Sequence, residues 1–229
     1  VLGGAQLSLL AQACIAETLA YGDVGIGMAL PQTGAFGRAL MLLGDQEQQH
    51  LWLKDFVEKP ATTIGVVALS QQAAEPLSLV RRDQGYLLRG RADFVLQGQS
   101  ADRALLLIQD QTELKAVVCS LKLPGIEVKP LAGLLGLRAL RPATLHFHDV
   151  LLEPHGFLSR SQTLATALER LWAEEGLLIA ARAVGLAAAS FDYALRYAEQ
   201  RTAFGKPIGH FQSMAFLLSE LWMQLEAAR

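Results

Sequence analysis

The apolar residues of this chain change their spacing twice, near residue 61 and again after Pro154, and no other feature constrains its fold as much. Residues 6–57 read as helical. Leu7, Leu10 and Cys14 recur at helix spacing, with Gly22 expected to end that helix, and a second helix is predicted from about Gly34 to Leu43. Asp45 stands where an N-cap is needed for a third helix, carrying Leu51, Leu53 and Phe56, because a short carboxylate can accept from the open amides of a first turn. From Ala61 to about Leu152 the signal becomes short apolar runs: Thr63–Leu69, Tyr86–Leu88, Phe94–Leu96, Ala104–Ile108, Lys115–Cys119 and Leu145–Leu152. Turn residues such as Arg82-Asp83-Gln84-Gly85 and Leu123-Pro124-Gly125 separate them. That pattern predicts a small all-β domain, a barrel or a sandwich. Beyond Pro154 the helical period returns in an Ala- and Leu-rich stretch over 163–200. A last helix over 211–229 places Met214, Leu217, Leu218, Leu221 and Leu225 on one stripe.

The expected architecture is therefore multidomain α+β: a partial N-terminal helical domain (1–60), a middle β-barrel domain (61–155) and the start of a C-terminal helical bundle (156–229). The 229 residues, 52% of them hydrophobic, supply enough apolar material for a sizeable core. Twenty basic and 22 acidic residues give a net charge of −2 with no long block of either sign. Nucleic-acid and anionic-membrane binding therefore lack an electrostatic footprint. No unbroken apolar run reaches the roughly 20 residues of a membrane span, so none is expected. Cys14 and Cys119 sit in apolar stretches without metal-ligand spacing and read as reduced core residues of an intracellular protein. The chain opens on Val1 and stops at Arg229 inside a helical pattern, so it is expected to be an internal piece of a longer protein.

One string carries chemistry: Arg201-Thr202-Ala203-Phe204-Gly205-Lys206-Pro207-Ile208-Gly209-His210-Phe211-Gln212. It resembles the R-x-x-F-G-x-x-I-x-x-F/H-Q signature of acyl-CoA dehydrogenases. Further matches follow in the family's order. They are Glu17–Gly22, Gly44–Leu53, the Tyr86-Leu87-Leu88-Arg89-Gly90 strand, Gly136-Leu137-Arg138 with Phe147-His148-Asp149-Val150, and Ala183-Val184-Gly185-Leu186-Ala187.

The resemblance implies an α-domain, a β-barrel and a C-terminal four-helix bundle. It implies FAD as cofactor and an acyl-CoA thioester as substrate, with α,β-dehydrogenation to the 2,3-enoyl product. It also implies a tetramer, homomeric or heteromeric, and an electron-transfer flavoprotein as acceptor. Arg201 matches the arginine that reaches the FAD pyrophosphate of a neighbouring subunit, a task suited to its planar fork of donors. Gln212 and Phe204 match residues near the adenosine end.

The segments expected to hold the chain's own flavin depart from the family pattern. Where the family carries T-E-P-G-A-G-S-D, this chain has Leu69 and then Ser70-Gln71-Gln72-Ala73-Ala74-Glu75-Pro76. Ser70 keeps a hydroxyl, and the glycines that admit close approach are absent. The family's W-I-T becomes Phe94-Val95-Leu96: Phe94 keeps an aromatic face, whereas Leu96 lacks the hydroxyl that bonds flavin N5.

In most members the catalytic glutamate lies further along the bundle. In the isovaleryl-CoA and long-chain members it lies on the helix before the Ala183–Ala187 match, and counting back from Gly185 reaches Glu175. Glu174 beside it leaves open a solvated acidic face. An alternative function follows from the same split: a non-catalytic subunit that completes a partner's FAD site in a hetero-oligomer. His146 and His148 share a strand face without a third ligand, so no metal site is expected.

Overall fold

The computed structural model describes residues 7–30, 34–58, 65–69, 75–82, 85–110, 113–158 and 164–229. Three helices lead: α1 (Leu9–Ala29), α2 (Gly34–Leu43) and α3 (Gln46–Glu58). Strands β1 (Gly65–Leu69), β2 (Ser78–Arg82), β3 (Gly85–Val95), β4 (Arg103–Asp110), β5 (Glu113–Ser120), β6 (Ile126–Pro130) and β7 (Ala143–Leu152) follow. Then come α4 (Leu164–Gln200), a short hairpin of β8 (Thr202–Ala203) and β9 (Lys206–Pro207), and α5 (Gln212–Ala228). The chain forms two compact units. One comprises the described residues of 29–173, and the other joins 7–28 to 174–229.

In the first unit the expected barrel is instead two sheets, ordered β1-β4-β5 and β2-β3-β7-β6, and no strand ladder joins them among the described residues. β4 pairs in parallel with β1 and antiparallel with β5. It lies at the centre of its sheet and is covered on both faces, so its sequence is a continuous apolar run rather than an alternation. Ala104, Leu106 and Ile108 face the other sheet, where they pack with Leu88, Leu145 and Phe147. Leu105 and Leu107 face the helices and pack with Phe36, Leu40, Phe56 and Leu168. β2 and β6, which the apolar pattern does not reveal, are outer strands whose polar residues face water, and Pro130 ends β6 where a ladder donor is dispensable.

The cap expected for α3 is present as a reciprocal box. The Gln48 amide donates to Asp45 Oδ1 at 2.9 Å, and the Asp45 amide to Gln48 Oε1 at 3.3 Å. Gln48 Nε2 also donates to the Phe157 carbonyl at 2.7 Å, which ties α3 to the segment leaving the sheets.

In the second unit the helices meet through small residues. A Cβ on Gly185 of α4 would press into the Glu17 carbonyl oxygen of α1, so only glycine permits this approach. Ala16, Ala20 and Ala188 are buried alongside.

The helix end expected at Gly22 is present: the backbone leaves helical geometry at the next residue, Asp23 (φ −162°, ψ 114°), whose carboxylate accepts from the Ile26 amide at 2.8 Å and starts a second helical stretch within α1. One expectation needs correction here. Cys14 is exposed, because α1 turns its small residues and not its whole circumference to its neighbours. Of the α5 stripe only Leu225 is buried, while Leu217 and Leu221 remain exposed.

Candidate functional site

The last turn of β3 is where this chain departs from regular strand geometry. β3 and β7 lose register between Ala92 and Val95, a bulge that lets Asp93 and Phe94 both face outward before Val95 returns to the core opposite Ala143. Phe94 has φ 54°, the left-handed region that costs a residue with a side chain about 1–2 kcal/mol. Its ring is 55% exposed. Leu96 in the following turn is also exposed, whereas the Val95 side chain lies in the core and leaves only its backbone for a ligand. Asp93 is fixed from two sides: Thr144 Oγ1 donates to its carboxylate at 3.3 Å, and Arg91 pairs with it at 3.1 Å.

The segment that leads into this sheet shows the same care at its described end. Gly90 has φ 109°, and a Cβ there would collide with the Pro76 carbonyl. The Arg91 amide donates to the Glu75 carbonyl at 2.9 Å, so Glu75 and Pro76 are pinned across the glycine. Leu69 is the last residue of β1, in register with Leu107. Ser70 and Gln71–Ala74 lie outside the described residues.

In the second unit, Arg201 precedes the β8–β9 hairpin, Phe204 lies at its tip and Gln212 opens the helix that follows it. Phe204 (φ 49°) and Gly205 (φ 81°) are its two central residues, both at the positive φ that a tight hairpin turn requires. Phe204 is 96% exposed and meets Phe211 edge-on at 6.3 Å, while Lys206 Nζ sits 4.5 Å above the Phe211 ring. The Ile208 amide donates to the Arg201 carbonyl at 2.8 Å, which holds the arginine at the hairpin base with its side chain exposed. Gln212 opens α5 and is exposed. Glu175 is half-buried on α4 beside the half-buried Glu174. Phe94 and Leu96 belong to the first unit, and Glu175, Arg201, Phe204 and Gln212 to the second.

Two other clusters are accounted for without a ligand. A cleft of about 340 Å³ in the second unit is lined by Glu17, Tyr21, Asp192, Trp222 and Arg229. Its polar groups satisfy one another: the Tyr21 hydroxyl donates to Asp192 at 2.6 Å, which raises the phenol pKa, and Arg229 pairs with Glu17 at 2.9 Å. His146 and His148 stack at 6.1 Å, and Glu127 lies 3.7 Å from His148. The neighbouring Lys129 and then His148 hold the Glu127 carboxyl below its ordinary value. No group of three metal-ligating side chains occurs among the described residues.

Along the chain, helices precede and follow a two-sheet β-region, which is an α–β–α order of elements. Comparison with known proteins then gives the family. Residues 1–59 match the acyl-CoA dehydrogenase N-terminal domain, and residues 164–229 match the acyl-CoA dehydrogenase C-terminal domain. Human mitochondrial short-chain specific acyl-CoA dehydrogenase is 28% identical over 249 residues, covering 100% of this chain and 58% of that protein. The short-chain enzyme of Megasphaera elsdenii is 26% identical over 227 residues, covering 93% of this chain and 58% of its own length. Among solved structures, glutaryl-CoA dehydrogenase from Mycobacterium smegmatis superposes with a TM-score of 0.90 at 25% identity, over 100% of this chain and 60% of that one. Butyryl-CoA dehydrogenase from M. elsdenii gives 0.87 at 24% identity, over 99% of this chain and 63% of its own.

The chain belongs to the acyl-CoA dehydrogenase family and has its fold, with an N-terminal helical part, middle sheets and the first helices of the C-terminal domain. It spans 58% of the length of these curated relatives. The match over 164–229 also bears on α4, which by length and composition alone could cross a membrane although it holds no unbroken apolar run of that length. Its Arg182 and Asp192 interrupt such a run, and the family match assigns it to the C-terminal helical domain.

Proposed function

We propose that the full-length protein is an FAD-dependent acyl-CoA dehydrogenase that converts an acyl-CoA thioester to the 2,3-enoyl-CoA. The observation that carries this reading is Phe94, an aromatic ring held outward in a left-handed conformation at the end of β3, where an apolar face can lie against an isoalloxazine ring. A solvent-facing phenylalanine at the cost of a strained backbone is poorly explained by packing, and strain of this kind gathers at ligand sites. Family membership supports the same reading, as does the likeness in fold to a glutaryl-CoA dehydrogenase solved in complex with FADH2.

The residues present fit the group unevenly. Phe94 and Leu96 offer apolar contact, and Leu96 offers no side-chain donor. Arg201 offers a fork of donors for phosphate oxygens, Phe204 an exposed ring, and Gln212 an amide. When bound, FAD supplies the hydride acceptor. The chain's own contribution is to bind and orient the thioester and to take up the α-proton on a carboxylate. As that proton leaves, the α C–H electron pair forms the new C=C bond and the β-hydrogen departs as hydride. Glu175 is the carboxylate we assign, half-buried on α4. Division into parts 1–60, 61–155 and 156–229, tetrameric assembly, electron-transfer flavoprotein as acceptor and an intracellular location complete the reading. The fold likeness to a chain in a structure of the electron transferring flavoprotein of Acidaminococcus fermentans supports the choice of acceptor.

Leu96 and the exposed hairpin favour one second reading, a non-catalytic subunit whose Arg201, Phe204 and Gln212 complete a partner's FAD site. Purification of the full-length protein, alone and with its genomic neighbours, separates the two. A yellow protein with one FAD per chain that is bleached anaerobically by an acyl-CoA supports the enzyme. A colourless protein that becomes yellow and active only with a partner overturns it in favour of the subunit. Glu175→Gln should abolish bleaching and leave FAD uptake intact; bleaching at the wild-type rate would remove Glu175 as the base.

A further inference from the structure

Six residues other than glycine adopt positive φ among the described residues: Phe94 is the last but one residue of β3, and three more, Gln97, Leu137 and Arg141, fall in two loops that are hydrogen-bonded to each other. The first loop is the turn that follows β3, and the second is the 137–142 segment that precedes β7. Left-handed backbone persists on such residues only where the surroundings over-determine it. The surroundings here are three hydrogen bonds between the loops. The Gln97 amide donates to the Leu140 carbonyl at 2.7 Å, and the Gln99 amide donates to the Arg141 carbonyl at 3.2 Å. The Gln99 side chain, Nε2, donates to the Pro142 carbonyl at 2.9 Å. Gln99 thus places two donors on consecutive carbonyls and supplies the side-chain member of the stitch.

We propose that Gln99 is a positioning residue: by fastening the turn after β3 to the 137–142 segment, it holds Phe94 in its outward, left-handed conformation. This rests on the reading that Phe94 faces a flavin. Asp93 is separately fixed by Thr144 and Arg91, so the strand is anchored on one side of Phe94 and the turn on the other. Between these anchors Phe94 has little freedom to swing back. Without the Gln99 side chain the turn keeps the backbone bonds of Gln97 to Leu140, Gln99 to Arg141 and Gly98 to Val95, but loses this side-chain tie to the 137–142 segment, and the Pro142 carbonyl is left with the Leu131 amide at 3.0 Å. Phe94 can then relax to negative φ, which redirects its ring.

The test uses the full-length protein with two substitutions, Gln99→Leu, which removes the donor at similar size, and Gln99→Glu, which replaces it by an acceptor facing a carbonyl. Hydrogen–deuterium exchange is measured over residues 93–98 without FAD, and FAD dissociation and the shape of the visible flavin bands are measured with it. The expected result is exchange at least tenfold faster over 93–98, FAD bound about tenfold more weakly, and altered band structure, with exchange in β4 and β5 unchanged. Unchanged exchange over 93–98 in either folded variant overturns the proposal. So does faster exchange that leaves FAD affinity and band shape as in the wild type. A wild-type protein that takes up no FAD defeats the flavin reading instead, and the exchange result alone then decides whether Gln99 holds Phe94.

Discussion

The two compact units bury their apolar residues in different ways. In the first, large side chains carry the core: Phe36, Leu105, Leu106, Ile108 and Leu145 have no exposed surface, and β4 serves two clusters at once from its opposite faces. In the second, small residues carry the contacts. Ala16, Ala20, Gly185 and Ala188 let the helices approach, while Tyr193, Phe216 and Met223 stay open to water. Close helix approach through small residues gains backbone contact and leaves the large side chains on outer faces. A sheet covered on both sides meets its need for burial within itself, whereas helices joined along one narrow seam do not.

The largest expected difference between the units is in thiol protection. Burial pushes the Cys119 thiol in β5 up to about 12, so no reactive thiolate forms there near neutral pH, and access requires opening of the sheets. Cys14 on α1 is exposed. A maleimide at pH 7 should modify Cys14 in the folded protein and Cys119 only on denaturation, a protection worth roughly 5 kcal/mol or more if opening is global. Mass spectrometry showing equal labelling would mean the first unit is not closed.

Next comes the large-side-chain core itself. Phe147→Ala should cost about 3–5 kcal/mol in urea denaturation, because the ring is 2% exposed and its cavity has rigid walls. The seam of the second unit is tested by adding an atom rather than removing several. Gly185→Ala is expected to cost roughly 1–3 kcal/mol, since the new methyl meets the Glu17 backbone and not a side chain that can turn away. A neutral outcome would show that α1 does not sit on α4 at that glycine. Asp45→Ala should remove about 1 kcal/mol through loss of the capping box on α3, read as a shift in urea midpoint without a change in slope. Smallest is Phe216→Ala on the open face of α5, expected within about 0.5 kcal/mol. A loss near that of Phe147→Ala would show this face to be covered in the full-length protein.

Much of this was legible from residue order. The two changes of period separate helices from strands at the right places, and Gly34–Leu43 and the Asp45 cap follow from local chemistry that involves only near neighbours in sequence. The β2 and β6 strands were not legible, because an outer strand is half solvated and its Arg81, Arg82, Glu127 and Lys129 erase the apolar signal. Within the candidate site, the string Arg201–Gln212 was readable as a motif. The strain at Phe204 was not, since φ is set by the two-residue hairpin closure.

Sequence by itself determined the family and the order of elements, because both depend on patterns that survive when distant contacts are ignored. Only the tertiary structure decided that the strands form two sheets, that Val95 points inward while Phe94 points out, and that Cys14 is exposed. It also decided that the turn after β3 is tied to residues 137–142 through Gln99. Each of these turns on which distant backbone supplies a hydrogen-bond partner or a covering surface. That choice is made by pairing and burial across tens of residues, and adjacent residues do not carry it.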